Sequence, residues 1–282
     1  MKIAYVINHS RMDGESGILR KVAQHIRYWR SRGHDVTLFA LSGTAGVWKG
    51  LEGIPVDITQ KGSVWERPRR MRRMIDRVIE WSPDIVFMRF EFCYRGLASL
   101  AKRTRVVVEH NTHDIQDFRL MLPRPAYWYH CLNRGRFLKE VTGMVAVCGE
   151  IGEKYRKYGK PIEIISNGLP LDEYPVLPAP SNAAPRAILI GWGDRPWHGA
   201  DKVAALAHRL PDWHFDIVGC GAGCRDVDVP ANVTLHGLLS RGEFEPLMRQ
   251  ADIGFGTLAL HRKKMEEVPP LKVREYLAYG LP

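Results

Sequence analysis

The chain has no apolar run long enough to cross a bilayer; no stretch approaches the roughly 18–20 residues that a spanning helix needs. The opening MKIAYVINHS turns polar too soon for a secretory leader. Cysteine is scarce and odd in number: Cys93, Cys131, Cys148, Cys220 and Cys224, mostly within apolar stretches. That excludes a disulfide framework and points to reduced thiols of a cytoplasmic protein. Cys220 and Cys224 form one close pair, whereas a zinc site needs four ligands. The glycines of GCGAG, Gly219–Gly223, follow a strand-like run, but no convincing helical pattern follows them, so a dinucleotide fingerprint is weakly supported. No carboxylate pair is placed to bind a metal, and none is expected. Acidic residues are outnumbered, 31 Asp and Glu against 41 Lys and Arg, giving a net charge of +10. Such an excess implies an anionic partner: nucleic acid, an anionic membrane or a phosphorylated substrate.

What is present is the composition of a folded chain, 45% hydrophobic and 26% charged. Its patterning alternates. Lys2–Asn8, Asp35–Leu41, Asp84–Phe90, Arg105–His110, Gly143–Cys148 and Ile162–Ser166 read as strands. Between the first two, Ser16–Arg32 carries Ile18, Leu19, Val22, Ala23, Ile26 and Trp29 at helical spacing. Ser16 is its expected N-cap and Gly33 its stop. This rhythm predicts a doubly wound parallel sheet. Residues 169–186 hold five prolines and little periodicity. Beyond them Ala187–Trp192, His214–Gly219, Val233–Gly237 and Asp252–Thr257 read as strands, with Ala200–Leu210, Arg241–Gln250 and Leu271–Ala278 as helices. The expected division is 1–170, a linker at 171–186, and a shorter second α/β domain at 187–282. Ligands bind at the carboxyl ends of parallel strands, so a cleft between two such sheets is the expected site.

The chemistry concentrates in EEVPPLKVREYLAYGLP, residues 266–282. Pro269 and Pro270 precede a helical pattern, and the first turn of a helix offers free N–H groups and the positive dipole end to an anion. Lys272 in that turn opposes the dipole, by roughly 0.3–1 kcal/mol; an anionic ligand would remove that cost, and a solvated lysine is the plain alternative. Glu275 follows one turn on, and Glu267 lies eight residues before it. A carboxylate can accept two hydrogen bonds from a sugar diol; a Lys272–Glu275 surface pair is the plain alternative.

The spacing of Glu267 and Glu275 within PLKVREYLAYGLP resembles the retaining glycosyltransferases of family 4. DGESGILRKV, VVVEHNTHD, VAVCGEIGEKYRKYG, ISNGL, ILIGWG and VTLHGLL match in order. The resemblance implies two Rossmann-like doubly wound parallel-sheet domains facing a cleft, the GT-B fold, with the second domain incomplete, because the family continues past GLP. It implies transfer of a sugar, with retention, from a nucleotide diphosphate sugar to an acceptor hydroxyl, without a metal cofactor. Glu275 would hold the ribose, Glu267 the donor sugar, and Leu271 and Lys272 would face the diphosphate. His110 would lie beside the anomeric carbon, with His113 as its competitor. Gly14 to Gly17 would bring backbone N–H groups to phosphates or acceptor, and Gly237 and Leu238 would hold the base. Where the family carries a basic pair, this chain has Trp197 and His198, so Arg195, His198 or Lys202 are the candidate substitutes.

The basic excess gathers on Arg20, Lys21, Arg27, Arg30 and Arg32, and on Arg67, Arg69, Arg70, Arg72 and Arg73 near Trp65 and Trp81. Charge of one sign beside tryptophans suits an anionic cytoplasmic leaflet carrying a lipid-linked or saccharide acceptor; a solvated face is the alternative. The expected location is the inner face of the plasma membrane, and the family resemblance implies a role in cell-surface polysaccharide or glycolipid synthesis. Two rivals remain: a nucleotide-sugar epimerase of the same architecture, which would need acid and base carboxylates at the sugar, and a nucleic-acid-binding protein. The second would need aromatics on a strand face among the cations, or a recognition helix, and neither is seen.

Overall fold

The computed structural model describes residues 1–193 and 195–282. It divides into two compact units, Met1–Ser166 and Asn167–Pro282. Asp194, inside the GWGDRPWHG segment, lies outside the described residues. Among the described residues no helix is long and apolar enough to cross a membrane.

The first unit runs β1 (Lys2–His9), α1 (Gly17–Ser31), β2 (Asp35–Ser42), β3 (Val56–Gln60), α2 (Arg67–Glu80), β4 (Ile85–Arg89), α3 (Leu97–Arg103), β5 (Val106–His110), α4 (Asp114–Met121), α5 (Arg124–Glu140), β6 (Gly143–Ala146), α6 (Gly149–Tyr155) and β7 (Ile162–Ile164). All seven strands pair in parallel, in the order β3-β2-β1-β4-β5-β6-β7. The order reverses between β1 and β4. In a doubly wound sheet that switch point opens a crevice at the carboxyl ends of the strands.

Apolar periodicity dictates these elements. In α1, Leu19, Val22, Ala23 and Ile26 are buried against Ile3, Tyr5, Ile7 and Leu38 of the sheet. Ser16 caps the helix, its hydroxyl accepting from the Leu19 N–H at 3.1 Å. Gly33 follows at φ +80, a left-handed conformation that glycine adopts without strain. Strand β3 and helix α2 did not emerge from pattern. VDITQ is only five residues long and half-buried. In α2 the arginines mask a buried stripe of Met71, Met74, Ile75 and Val78.

The second unit runs β8 (Arg186–Ile190), α7 (Ala200–Ala207), β9 (His214–Val218), β10 (Val233–Gly237), α8 (Arg241–Gln250), β11 (Ile253–Phe255) and α9 (Leu271–Ala278). Its four parallel strands lie in the order β10-β9-β8-β11, with the switch between β8 and β11. The proline-rich segment before β8 is packed as part of this unit. Tyr174 is buried against Tyr279, ring centroids 5.1 Å apart, and the Leu177 N–H donates to the Tyr279 carbonyl at 2.8 Å. Each unit is thus an α/β domain built on a parallel sheet, as the strand and helix rhythm of the sequence predicts.

Candidate functional site

In the second unit the loops after β8 and β11 meet at the switch point. The Leu258 N–H donates to the His198 carbonyl at 3.2 Å, and Ala259 N–H to that of Trp197 at 3.1 Å. Helix α9 follows, with Pro270 at its N-cap. Close approach at this point demands glycine. A Cβ on Gly191 would lie 2.7 Å from Cys220 Sγ and 2.9 Å from the His198 ring, and one on Gly219, at φ +76, would strike the Gly191 carbonyl.

Lys272 is only 9% exposed, and its ammonium has no hydrogen-bond partner among the described residues. Burial pulls its pKa down to about 8. His198 is held at about 3, first by burial and then by Lys272, Arg195 and Lys263. The Trp192 N–H donates to His198 Nε2 at 3.3 Å, so the imidazole is neutral with its hydrogen on Nδ1. That Nδ1 is also buried without a partner among the described residues. Among the described residues, two neighbouring buried donors therefore lack acceptors at a helix N-terminus, and together they suit an anion. Lys263, which no sequence motif marks, is buried and stands 4.4 Å above the Trp197 ring; Arg195 lies 5.7 Å from the same ring.

Glu275 is 8% exposed and accepts from the Tyr174 hydroxyl at 3.2 Å. Asn167, of the ISNGL turn, donates to the Pro269 carbonyl at 2.7 Å and so ties that turn to the start of α9. Leu271 is half-buried as the first residue of α9, and Glu267 is exposed in the loop before it. Gly237 ends β10 at φ +66, and Leu238 is exposed beside it. Lys202 is exposed on α7. So α9 and the loop after β8 bring together Lys272, His198 and Arg195, while Lys202 stays on the helix surface.

In the first unit, Gly14 lies in the half-buried β1–α1 loop and Gly17 opens α1. His110 ends β5, 1% exposed, with its ring stacked on Tyr155 at 3.6 Å between centroids. Neither ring nitrogen has a hydrogen-bond partner among the described residues, and burial drives its pKa to about 3, so it stays neutral. His113, its competitor, is half-buried at the N-cap of α4.

Beneath them is a charge cluster that the sequence did not announce. Asp114 receives two hydrogen bonds from Arg134, Nε to Oδ2 at 2.6 Å and Nη2 to Oδ1 at 2.8 Å. His130 Nε2 lies 2.6 Å from Oδ2, and the Tyr155 hydroxyl donates to Oδ1 at 2.7 Å. The Cys93 N–H donates to His130 Nδ1 at 2.9 Å, which fixes the tautomer: Nε2 carries the hydrogen given to Asp114. A second buried carboxylate, Glu109, meets Lys21 Nζ at 2.6 Å and the Asn111 amide at 2.9 Å. Burial pushes Glu109 up, but Lys21 and Arg89 outweigh it and hold the carboxyl below its ordinary range. Only the VVVEHNTHD run hinted at either cluster; Arg134 and His130 come from α5, far along the chain. Among the described residues no three His, Cys, Asp or Glu are grouped to hold a metal ion.

Two parallel-sheet units, each with a switch point in its strand order, are the architecture of GT-B glycosyltransferases. The family model described as Glycosyltransferase Family 4 matches residues 16–173, more than half of the 282 residues, and the chain belongs to that family. Lys272 and Glu275 lie outside the matched range. No curated protein matches in a sequence search. Among solved structures, the fold is similar to Anabaena Alr3699/HepE in complex with UDP-glucose, with TM-score 0.68, 16% identity, and coverage of 100% of this chain and 79% of that one. It is similar to the lipopolysaccharide outer core galactosyltransferase WaaB, with TM-score 0.63, 16% identity and the same coverage. A UDP-GlcNAc 2-epimerase from Neisseria meningitidis, bound to UDP-GlcNAc, matches at TM-score 0.56 and 13% identity over 90% of this chain and 76% of that one.

Proposed function

We propose that this glycosyltransferase moves a sugar, with retention, from a nucleotide diphosphate sugar to an acceptor hydroxyl in cell-surface polysaccharide or glycolipid synthesis. The observation that carries the reading is the buried Lys272 ammonium, without a hydrogen-bond partner among the described residues, beside the His198 Nδ1 hydrogen at the start of α9. A folded protein keeps a buried uncompensated charge only at a cost, and a diphosphate would repay it. As the bond from the anomeric carbon to the diphosphate oxygen breaks, negative charge grows on the leaving group. Lys272 and the free N–H groups of α9 would stabilise that charge. Glu275, one turn on, would accept the ribose hydroxyls, and Glu267 would contact the donor sugar. Gly237 and Leu238 would border the base.

His110 would act near the anomeric carbon. Its ring is neutral and enclosed, so a hydrogen-bonding role suits it better than general acid catalysis. The leaving phosphate would take the acceptor proton in a front-face substitution, and no metal is required. The basic face of α2 would hold the chain on an anionic cytoplasmic leaflet. The epimerase reading has fold similarity on its side, but the family match favours transfer.

A transfer assay with UDP-, GDP- and dTDP-sugars in EDTA, with the product anomer read by NMR, tests this reading. The expected result is transfer with the donor's anomeric configuration kept. An inverted product, epimerised free donor or loss of activity in the chelator would each overturn a named part of it.

A further inference from the structure

A second pocket, of about 560 Å³, lies wholly in the first unit. Asn8, near the end of β1, and Phe92, just past β4, both line it, so it stands at the switch point of the seven-stranded sheet. Its wall is mostly apolar and aromatic: Trp65, Phe92, Tyr94, Phe118, Leu122 and Tyr129. Trp65 is 90% exposed and Val64 beside it 63% exposed, an unusual expense for apolar side chains unless they meet something apolar.

Three polar groups break this wall, and two of them are incomplete. Asn8 Oδ1 is buried with no hydrogen-bond partner among the described residues, and so is Arg67 Nε. Lys61 is the third. Burial draws its ammonium down, Glu91 works against that, and the Arg67 guanidinium adds to it; two cations therefore share the rim. An apolar wall with a few convergent polar groups is the usual build of a ligand site. Here an orphan donor on a guanidinium, with a second cation nearby, selects an anionic head, and the orphan Asn8 oxygen selects a hydroxyl donor.

We propose that this pocket binds the acceptor as a phosphate-bearing lipid, its phosphate against Arg67 and Lys61 and the start of its hydrocarbon chain against Trp65, Phe92 and Phe118. This rests on the glycosyl-transfer reading in making the ligand the acceptor, but the pocket is separate from the nucleotide residues of the second unit. A free sugar or inorganic phosphate would leave the apolar wall unused. Each methylene taken from water into such a wall strengthens binding about fourfold.

The test is calorimetry with n-alkyl phosphates from butyl to dodecyl, with inorganic phosphate and methyl glucoside as controls, and with UDP, GDP and dTDP in parallel. Affinity should climb steeply with chain length and then level off as the pocket fills. Ala126→Trp, which fills the lining without deleting a core side chain, should abolish the climb. Trp65→Ala, at an exposed position, should flatten it, and Arg67→Gln should weaken all alkyl phosphates by about tenfold. All three variants should keep the parent's nucleotide affinity. Absence of chain-length dependence, an unaltered climb in Ala126→Trp, or inorganic phosphate binding as well as octyl phosphate would each overturn the pocket assignment, whatever the nucleotide result. A chain-length climb in a protein that binds no nucleotide would support the pocket and count against the donor reading.

Discussion

Lys272 and His198 share one buried corner of the second unit, and only one of them carries a charge there. Burial and the Lys272 ammonium hold the His198 imidazole near pKa 3, while Lys272 itself falls only to about 8 and stays protonated at neutral pH. One cation and one neutral N–H donor therefore stand together. His198, placed where the family resemblance leads one to look for a basic residue, contributes a hydrogen bond instead of a charge.

Replacing Lys272 with methionine should separate function from stability. A lysine whose folded-state pKa is lowered destabilises the fold wherever the unfolded chain is protonated and the folded one pays for burial. The penalty is full below the folded value of about 8 and disappears as pH rises through the unfolded value of about 10.4. The shift corresponds to about 3 kcal/mol. Lys272→Met should therefore be more stable than the parent in urea at pH 7, by up to about 3 kcal/mol, and no more stable near pH 11. It should also lose the stabilisation that nucleoside diphosphates give the parent. A lysine serving only the fold would show the opposite change at pH 7.

Glu275 and Tyr174 make a graded pair. Glu275→Ala removes both acceptors for a ribose diol and should weaken nucleotide binding by roughly ten- to a hundredfold, from about 1.5–3 kcal/mol for hydrogen bonds to a charged group. Tyr174→Phe keeps the ring against Tyr279 and deletes the 3.2 Å hydrogen bond to Glu275. Its effect should be a few-fold at most, in the same direction. Calorimetry with the preferred nucleotide distinguishes the two, and equal affinity in Glu275→Ala and parent would remove the ribose role.

The helices around the switch point of the second unit were legible because their signals are local. PPLKVREYLAYG holds a proline start and a helical stripe, and α9 forms at Leu271–Ala278 as that pattern dictates. Helix α8, Arg241–Gln250, was equally plain, with Ser240 and Glu243 forming a capping box. Lys263 was not legible, because its importance comes from standing over Trp197, sixty-six residues earlier in the chain. Helix α2 was hidden by its own charge: six arginines in RPRRMRRMIDR obscure the four apolar residues that seat it. The burial of His110 could not be read from VVVEHNTHD either. It depends on Tyr155 and Phe90, which reach its ring from other elements.

The structure of α2 sharpens the membrane prediction. Arg69, Arg72 and Arg73 are exposed, and Arg70 spends part of its charge on Glu66 at 3.1 Å. Replacing Arg69, Arg70, Arg72 and Arg73 with serine should leave thermal stability nearly unchanged, since exposed pairs contribute little. At about 1 kcal/mol per cation near an anionic leaflet, it should reduce co-sedimentation with phosphatidylserine vesicles on the order of a hundredfold or more. High salt should do the same to the parent. Sedimentation that persists in the variant would remove α2 from the membrane face.

Asp114 holds the α4–α5–α6 region together, and its substitution should be costly. Burial works to raise its pKa, but the hydrogen bond from His130 and the charge and hydrogen bonds of Arg134 prevail, and the carboxyl is held well below its usual range. A depressed carboxyl stabilises the fold at pH values above its unfolded pKa, about 3.9, and that contribution drains away as the pH falls toward the folded value. Asp114→Asn leaves the Arg134 guanidinium buried without its counter-charge, which typically costs about 3–5 kcal/mol. The variant should thus be much less stable than the parent in urea at pH 7, and the gap should narrow below about pH 4 as the parent begins to lose the same interaction. Asp114 also accepts from Tyr155, whose ring lies on His110, so any folded Asp114→Asn protein should lose transfer activity while still binding nucleotide. Full activity, or a stability gap that does not change with pH, would mean that the carboxylate neither anchors this region nor positions the histidine.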